Sequence, residues 1–195
     1  LGKRLQELLE GVTQVSITLS LGIQLDDQER AQRGADPRID SVLIAADGEE
    51  LLHLSHRRSS PEGTTFRLDR LTSDHPVFRR IASAIIESTT TAAALREDDT
   101  PLVNDALAGL LPDLEAHTTR FLPETVKLHD RDEAPASRAH LLIPISRGNR
   151  GEDIGRALRI YLPDILDEIV GGLSHCVAWQ LGWLRYLGPV RERPT

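Results

Sequence analysis

The sequence predicts an α/β (α+β) fold in which helices flank an antiparallel sheet of five to six strands, with the N- and C-terminal helices packed together. Three patterns predict it: a β-hairpin at 41–55, helical spacing through the middle third, and a long apolar helix near the C-terminus. Hydrophobic residues make up 39% of the 195 residues and charged residues 27%, which is enough to bury a core. A wholly disordered chain is therefore excluded.

The opening segment, residues 2–30, carries two competing patterns. Its apolar residues first follow the 3-4-3 spacing of a helical seam and later alternate with polar residues, as in a half-buried strand over 15–25. We favour the helix, because at helical spacing the polar residues of this segment fall on one face. We therefore assign 1–33 to an N-terminal helical segment. The helical seam begins with Leu5, Leu8, Val12 and Val15.

Two hairpins are predicted. In the first, Asp47-Gly48 joins the apolar runs 41–46 and 49–55, since this dipeptide supplies the positive φ angles of a tight turn. In the second, strands 141–145 and 156–162 flank a glycine-rich connection at 148–151.

Helices fill much of the remaining sequence. Apolar residues at helical spacing predict one helix that begins at Pro76, with Ser73 or Asp74 as its cap, and a second that begins at Thr100-Pro101. A third, 164–187, is predicted to begin at Pro163. These elements place the main domain at 34–188 and a tail at 189–195.

The last helix is apolar over an arc too wide for one sheet to cover. Its uncharged run from Ile169 to Leu184 has 16 residues, whereas a membrane span needs roughly 20, so we predict no membrane span. A partner helix in a homodimer is the favoured cover, and a wholly internal helix is the alternative. The predicted dimer contacts are Leu5, Leu8, Val12, Val15, Cys176, Trp179 and Trp183.

No catalytic or metal-binding set emerges from the sequence. The run Gly172–Cys176 lacks the last glycine of a nucleophile elbow and lies in a predicted helix. His53 and His56 would point to opposite faces of a strand. One cysteine excludes an internal disulfide, and a net charge of −7 argues against direct nucleic-acid binding by this segment.

Three stretches resemble a GAF domain. Residues 37–55 resemble that family's first hairpin, His140–Ile145 resembles its proline-containing strand, and Gly151–Pro163 with the helix behind it resembles its last strand and closing helix. The resemblance covers about 35–55 and 138–187. It implies a sensory fold whose relatives bind cyclic nucleotides, haem or bilins. A haem would need an axial ligand, for which His75, His117 and His129 are the positional candidates.

The resemblance implies a non-catalytic sensory or regulatory domain of a larger cytoplasmic signalling or transcription protein. Such a domain would transmit ligand or partner binding through a dimeric bundle of terminal helices. The cofactor and the ligand, if one exists, stay unassigned. Three alternatives remain open: a PAS- or Cache-like sensor, an enzyme on an unrecognised α/β scaffold, and a purely structural protein–protein module.

Overall fold

A computed structural model describes residues 6, 7, 9–24, 36–60, 63–89, 95–118, 122–128 and 150–183. These residues form an α/β fold with six strands and three main helices. The strands are β1 (Val15–Gln24), β2 (Asp36–Ala46), β3 (Glu49–Ser60), β4 (Gly63–Leu71), β5 (Leu114–Thr118) and β6 (Thr125–Leu128). The helices are α1 (Pro76–Thr89), α2 (Thr100–Leu110) and α3 (Arg150–Trp183).

The six strands form one antiparallel sheet in the order β1-β2-β3-β4-β5-β6, so each strand pairs with its neighbours in sequence. The first predicted hairpin is confirmed as β2–β3. Asp47 and Gly48 both take positive φ angles, +51° and +87°, as a two-residue turn between twisted strands requires. The Asp47 N–H also donates to the Gln14 carbonyl at 2.8 Å, which continues the β1–β2 pairing into the turn.

The helices cover one face of the sheet. Alternate residues of the central strands, such as Ile44, Leu54 and Phe66, are buried there against the apolar faces of α1 and α3. Helix α1 packs on α3, and α3 in turn packs on α2 and β6. The predicted helices of the middle third are thereby confirmed. The largest fully buried side chains include Phe66, Phe78, Leu52, Leu54, Ile81, Ile85, Leu158, Leu162 and Ile165.

The prediction of a helical segment over 1–33 is wrong for residues 15–24, which form strand β1. The alternative that the sequence left open is the observed one. Ile17 and Leu19 alternate with Ser16 and Thr18 and pack against the edge of the core, so period two prevails over the heptad spacing. Leu5, Leu8 and residues 25–33 lie outside the described residues.

The second hairpin is also wrong where it can be compared. Residues 156–162, predicted as a strand, belong to α3, which begins at Arg150 and runs through Pro163. The reason is spacing, because Ile154, Leu158 and Leu162 are all buried at four-residue intervals, on one side of a helix. The predicted strand 141–145 lies outside the described residues.

The length of α3 does not make it a membrane segment. Within the described ranges, none of the helices combines the length and the apolar content that a membrane crossing requires.

Candidate functional site

The last nine residues of α3 are mostly exposed, whereas the residues before them pack into the core. Up to Ser174 the helix turns apolar residues into the core, and from His175 onward most residues are exposed. Trp179 has 57% of its surface exposed and Leu181 46%, although residues 175–183 include no Asp, Glu, Lys or Arg. Large apolar side chains on an uncharged, solvent-facing helix are typical of an interaction surface. We call residues 175–183 the α3 tail.

The part of α3 just before the α3 tail is held in place by β6 and by the segment that precedes β6. The Ser174 hydroxyl donates to the Pro123 carbonyl at 2.5 Å, and the Val126 N–H donates to Asp167 Oδ1 at 2.7 Å. A Cβ atom on Gly171 would lie 2.7 Å from the Glu124 carbonyl oxygen, so only glycine permits this approach.

A groove of about 360 Å³ runs along the contact between the α3 tail and the 122–124 segment. Leu122 lines one side, and Ala178 and Leu181 line the other, so its walls are mainly apolar. His175 and Glu124 stand at the same groove. Its chemistry suits an apolar side chain better than a charged ligand.

The predicted dimer contacts fall into two groups. Cys176, Trp179 and Trp183 lie on α3, with Cys176 half-buried and Trp179 exposed. Val12 and Val15 are half-buried against the core at the other edge of the sheet, beside β2. Because α3 borders β6 and Val15 belongs to β1, four strands separate the two groups. The structure therefore does not bring them together within one chain.

A second cavity, about 390 Å³, lies where α1 begins, beside the β2–β3 turn. His75 is buried at its base. The His75 Nδ1 atom accepts the Val77 N–H at 3.1 Å and Nε2 lies 3.4 Å from the Ala46 carbonyl, an arrangement in which Nε2 donates. His75 thus caps α1, where the sequence favoured Ser73 or Asp74.

Of the three candidate haem ligands, the structure describes His75 and His117, which lie in different parts of the fold. Both ring nitrogens of His75 are engaged, which leaves no lone pair for a metal. His117 lies on β5, partly exposed, with Nε2 3.9 Å from Glu115 Oε2. His129 lies outside the described residues.

The rim of this second cavity carries a tight polar turn. Asp47 Oδ1 accepts hydrogen bonds from the Thr13 hydroxyl at 2.6 Å and from the Thr13 and Gln14 N–H groups. These bonds lower the pKa of Asp47 from its usual value, and the bond from the Thr13 hydroxyl has the largest effect. The carboxylate thus fastens the start of β1 to the β2–β3 turn.

A bidentate ion pair joins the starts of α2 and α3. Arg150 donates from Nε and Nη2 to the two carboxylate oxygens of Asp99, at 2.6 and 2.5 Å. Asp99 is 4% exposed and also accepts the Arg96 N–H at 2.8 Å. The Arg150 hydrogen bonds lower the pKa of Asp99, and the same bonds raise the pKa of Arg150. The two residues are 51 positions apart in the sequence, and no sequence pattern predicts that they pair.

The remaining residues that the sequence analysis considered do not form a catalytic or metal-binding set in the described part of the chain. Ser174 lies in the middle of α3 rather than on a strand–turn–helix elbow. His53 approaches Asp69 at 3.8 Å, and His56 packs edge-on against Phe66 with ring centroids 6.2 Å apart. Among the residues described, no group of three or more His, Cys, Asp or Glu could hold a metal ion.

Comparisons with family models, with curated proteins and with solved structures found no match to this chain. The likeness to GAF domains therefore rests on the sequence stretches alone. One of them, 151–163, is helical rather than a strand.

Proposed function

We propose that this chain is a non-catalytic sensory or regulatory domain of a larger cytoplasmic protein, and that it works as a homodimer through the α3 tail. A GAF-like sensor is the family we propose from the sequence. The observation that carries the proposal is the 57% exposure of Trp179 in the α3 tail, a stretch without Asp, Glu, Lys or Arg that continues a helix whose earlier residues pack into the core.

The α3 tail has enough apolar surface to favour association. The exposed part of Trp179 amounts to about 130 Å², worth about 3 kcal/mol per copy at 25 cal/mol per Å² before the entropic cost of association is subtracted. Leu181 adds about 2 kcal/mol on the same basis. A two-fold axis would bury both residues of each copy, and aromatic side chains commonly dominate such contacts.

The architecture offers a route from a ligand to this surface. The cavity beside His75 lies at the start of α1, α1 packs on α3, and α3 continues without interruption into its tail. A ligand that binds one arrangement of α1 and α3 more tightly than another would shift the population of tail positions. A fused output domain would read that shift.

The test is the mass in solution. Trp179→Asp places a charge in the proposed seam and should halve the mass measured by light scattering. Ile160→Asp is the matched control, since Ile160 is also apolar, 45% exposed and on α3, but lies in its first half. If wild type is monomeric, or if Trp179→Asp leaves the mass unchanged, the proposed dimer surface is wrong.

Other function classes predict different results. A PAS- or Cache-like sensor would share the sheet and the signalling logic, and native mass spectrometry of the purified protein would reveal a retained small molecule in either sensor. An enzyme would need a set of converging acid–base groups. The candidates include Glu124 and His175 at the groove and Asp47, Glu49 and His75 at the second cavity. Of these, Asp47 and His75 already hydrogen-bond to other groups of the chain. A purely structural module would dimerise through the same tail but bind no ligand.

A further inference from the structure

The two edges of the sheet are unequal, and from this we propose a second interface: β1 pairs antiparallel with β1 of another copy of this chain. The two sheets would then join into one continuous sheet of twice the width. This proposal does not depend on the α3 tail, which lies at the opposite edge.

The β6 edge is short and closed. It has four residues, of which Lys127 is charged, and the N–H of Val126 is taken by the carboxylate of Asp167 on α3. These are the devices by which proteins prevent a sheet edge from pairing with another chain.

The β1 edge has neither the short length, nor the charge, nor the side-chain cover of the β6 edge in the part of the chain that is described, although its pairing with β2 shifts register between Ser20 and Leu21. It has ten residues without a charge or a proline, and no described strand pairs with its outer side. Leu21 is 66% exposed, the highest value among the large apolar side chains that the structure describes. An edge strand that is long, uncharged and apolar on one face is suited to strand addition.

The hydrogen-bond phase of β1 follows from its contact with the turn. The Asp47 N–H donates to the Gln14 carbonyl, so Gln14 directs its backbone groups toward β2, and so do Ser16, Thr18 and Ser20 at two-residue intervals. The backbone groups of the residues between them, all apolar, therefore point away from the sheet. These residues are Val15, Ile17, Leu19, Leu21 and Ile23.

The occupant is a second copy because the strand is complementary to itself. In the run Val15–Ile23 the apolar residues are symmetric about Leu19. An antiparallel pair with its two-fold axis at Leu19 would set Leu19 against the partner's Leu19, Ile17 against the partner's Leu21, and Val15 against the partner's Ile23. All five outward-pointing positions would be used, with about ten main-chain hydrogen bonds.

Charge and burial agree with this register. With no charge between Val15 and Gln24, no like charges would oppose each other across the axis. The exposed Leu21 would be covered by the partner's Ile17, and the apolar faces of both copies would lie on the same side of the joined sheet. A peptide from another protein would need no such symmetry.

A cysteine at the axis tests the register directly. Residues opposite each other in an antiparallel pair have Cα atoms about 5.5 Å apart, within the range of a disulfide. In a Cys176→Ala background, Leu19→Cys should therefore form a crosslinked dimer under mild oxidation. Val15→Cys is the matched control, because its counterpart would lie at the far end of the partner strand. Equal crosslinking of the two variants, or crosslinking of Val15→Cys alone, would overturn the proposed pairing.

A second variant keeps the test independent of crosslinking. Leu21→Lys alters an exposed position, so folding should survive, and it should halve the mass of wild type in light scattering. An unchanged mass would refute the pairing. The two interfaces are separable, because Leu21→Lys acts only on the β1 edge and Trp179→Asp only on the α3 tail. Circular dichroism of each variant checks that the fold is kept.

Discussion

Neutralising Asp99 should destabilise the fold in a way that depends on pH. Asp99 lies at the start of α2, and its carboxylate links Arg150, at the start of α3, to the Arg96 N–H. Asp99→Asn keeps the size of the side chain and removes the charge. The pair joins the first residues of two helices that are distant in sequence. Its loss should therefore lower the free energy of global unfolding.

The magnitude follows from burial. The Asp99 side chain is 5% exposed and the Arg150 side chain 32%, so solvent screens one partner but not the other. A hydrogen bond to a charged group contributes about 1.5–3 kcal/mol net to stability. After discounting for the exposure of Arg150, we expect Asp99→Asn to cost about 2 kcal/mol. For a chain of this size that corresponds to a fall in Tm of about 4–8 °C.

Removing the other partner should cost more. Arg150→Met leaves the Asp99 carboxylate buried without its cation, for which about 3–5 kcal/mol is expected. The control is the pair Arg159–Asp113, which joins at 3.2 Å but is 52% and 26% exposed. Asp113→Asn should cost less than about 1 kcal/mol.

The pH dependence has a definite sign. Hydrogen bonds from Arg150 hold the pKa of Asp99 below its usual value, so the folded state binds the proton more weakly than the unfolded state. The stability due to the charge is fully present above about pH 4 and is lost as pH falls through the folded-state pKa. In urea titrations the gap between wild type and Asp99→Asn should be constant from neutral pH to about 5 and shrink in acid. A gap below about 0.5 kcal/mol at pH 7, or one that does not shrink between pH 5 and pH 3, would refute the reasoning.

Further predictions concern close approaches and caps. Gly171→Ala should lower the free energy of unfolding by about 1–3 kcal/mol, because its Cβ would lie 2.7 Å from the Glu124 carbonyl oxygen. Its control is Gly109→Ala, where no atom lies within 4 Å of the added Cβ. In urea unfolding this variant should be more stable than wild type by about 0.5–1 kcal/mol. His75→Ala should destabilise by about 1–2 kcal/mol, because the Val77 N–H loses its acceptor, and His75→Asn should recover part of the loss through its own carbonyl oxygen. Gly171→Ala that is neutral, or His75→Asn no better than His75→Ala, would contradict these accounts.

The parts of the fold that follow local rules could be predicted from the sequence. The Asp47-Gly48 turn needs only two residues that tolerate positive φ between apolar runs, and both the turn and its strands are observed. Helices α1 and α2 follow from apolar spacing behind Pro76 and Pro101. These signals lie within a few residues of what they specify.

Errors arose where two periods shared one stretch. Val12, Val15 and Leu19 fit a heptad, yet Val15, Ile17 and Leu19 fit alternation, and pairing with β2 decided between them. At 156–162 a short apolar run behind a glycine-rich connection predicts the second strand of a hairpin. Burial along one side of α3 made it a helix, and a proline was accommodated within it.

The polar contacts at the candidate sites could not be predicted, because each joins segments far apart in sequence. Asp99 meets Arg150, Asp167 meets the Val126 N–H, and His75 reaches the Ala46 carbonyl. No spacing rule connects such partners. The exposed surface of the last helix has a signal in the sequence, unlike these polar contacts. The apolar face of that helix is wider than one sheet can cover, and Trp179 on it is exposed.

The two proposed surfaces together have a consequence for assembly. Each is isologous, so each closes on itself about its own two-fold axis. They lie at opposite edges of the sheet, which means that one axis cannot serve both. A chain with two such surfaces forms a closed tetramer if the axes are perpendicular and intersect, and otherwise an extended array. Wild type should then exceed a dimer at high concentration, either single variant should stop at a dimer, and Leu21→Lys with Trp179→Asp should be monomeric. A regulatory domain built this way could couple its ligand to assembly size as well as to the position of α3.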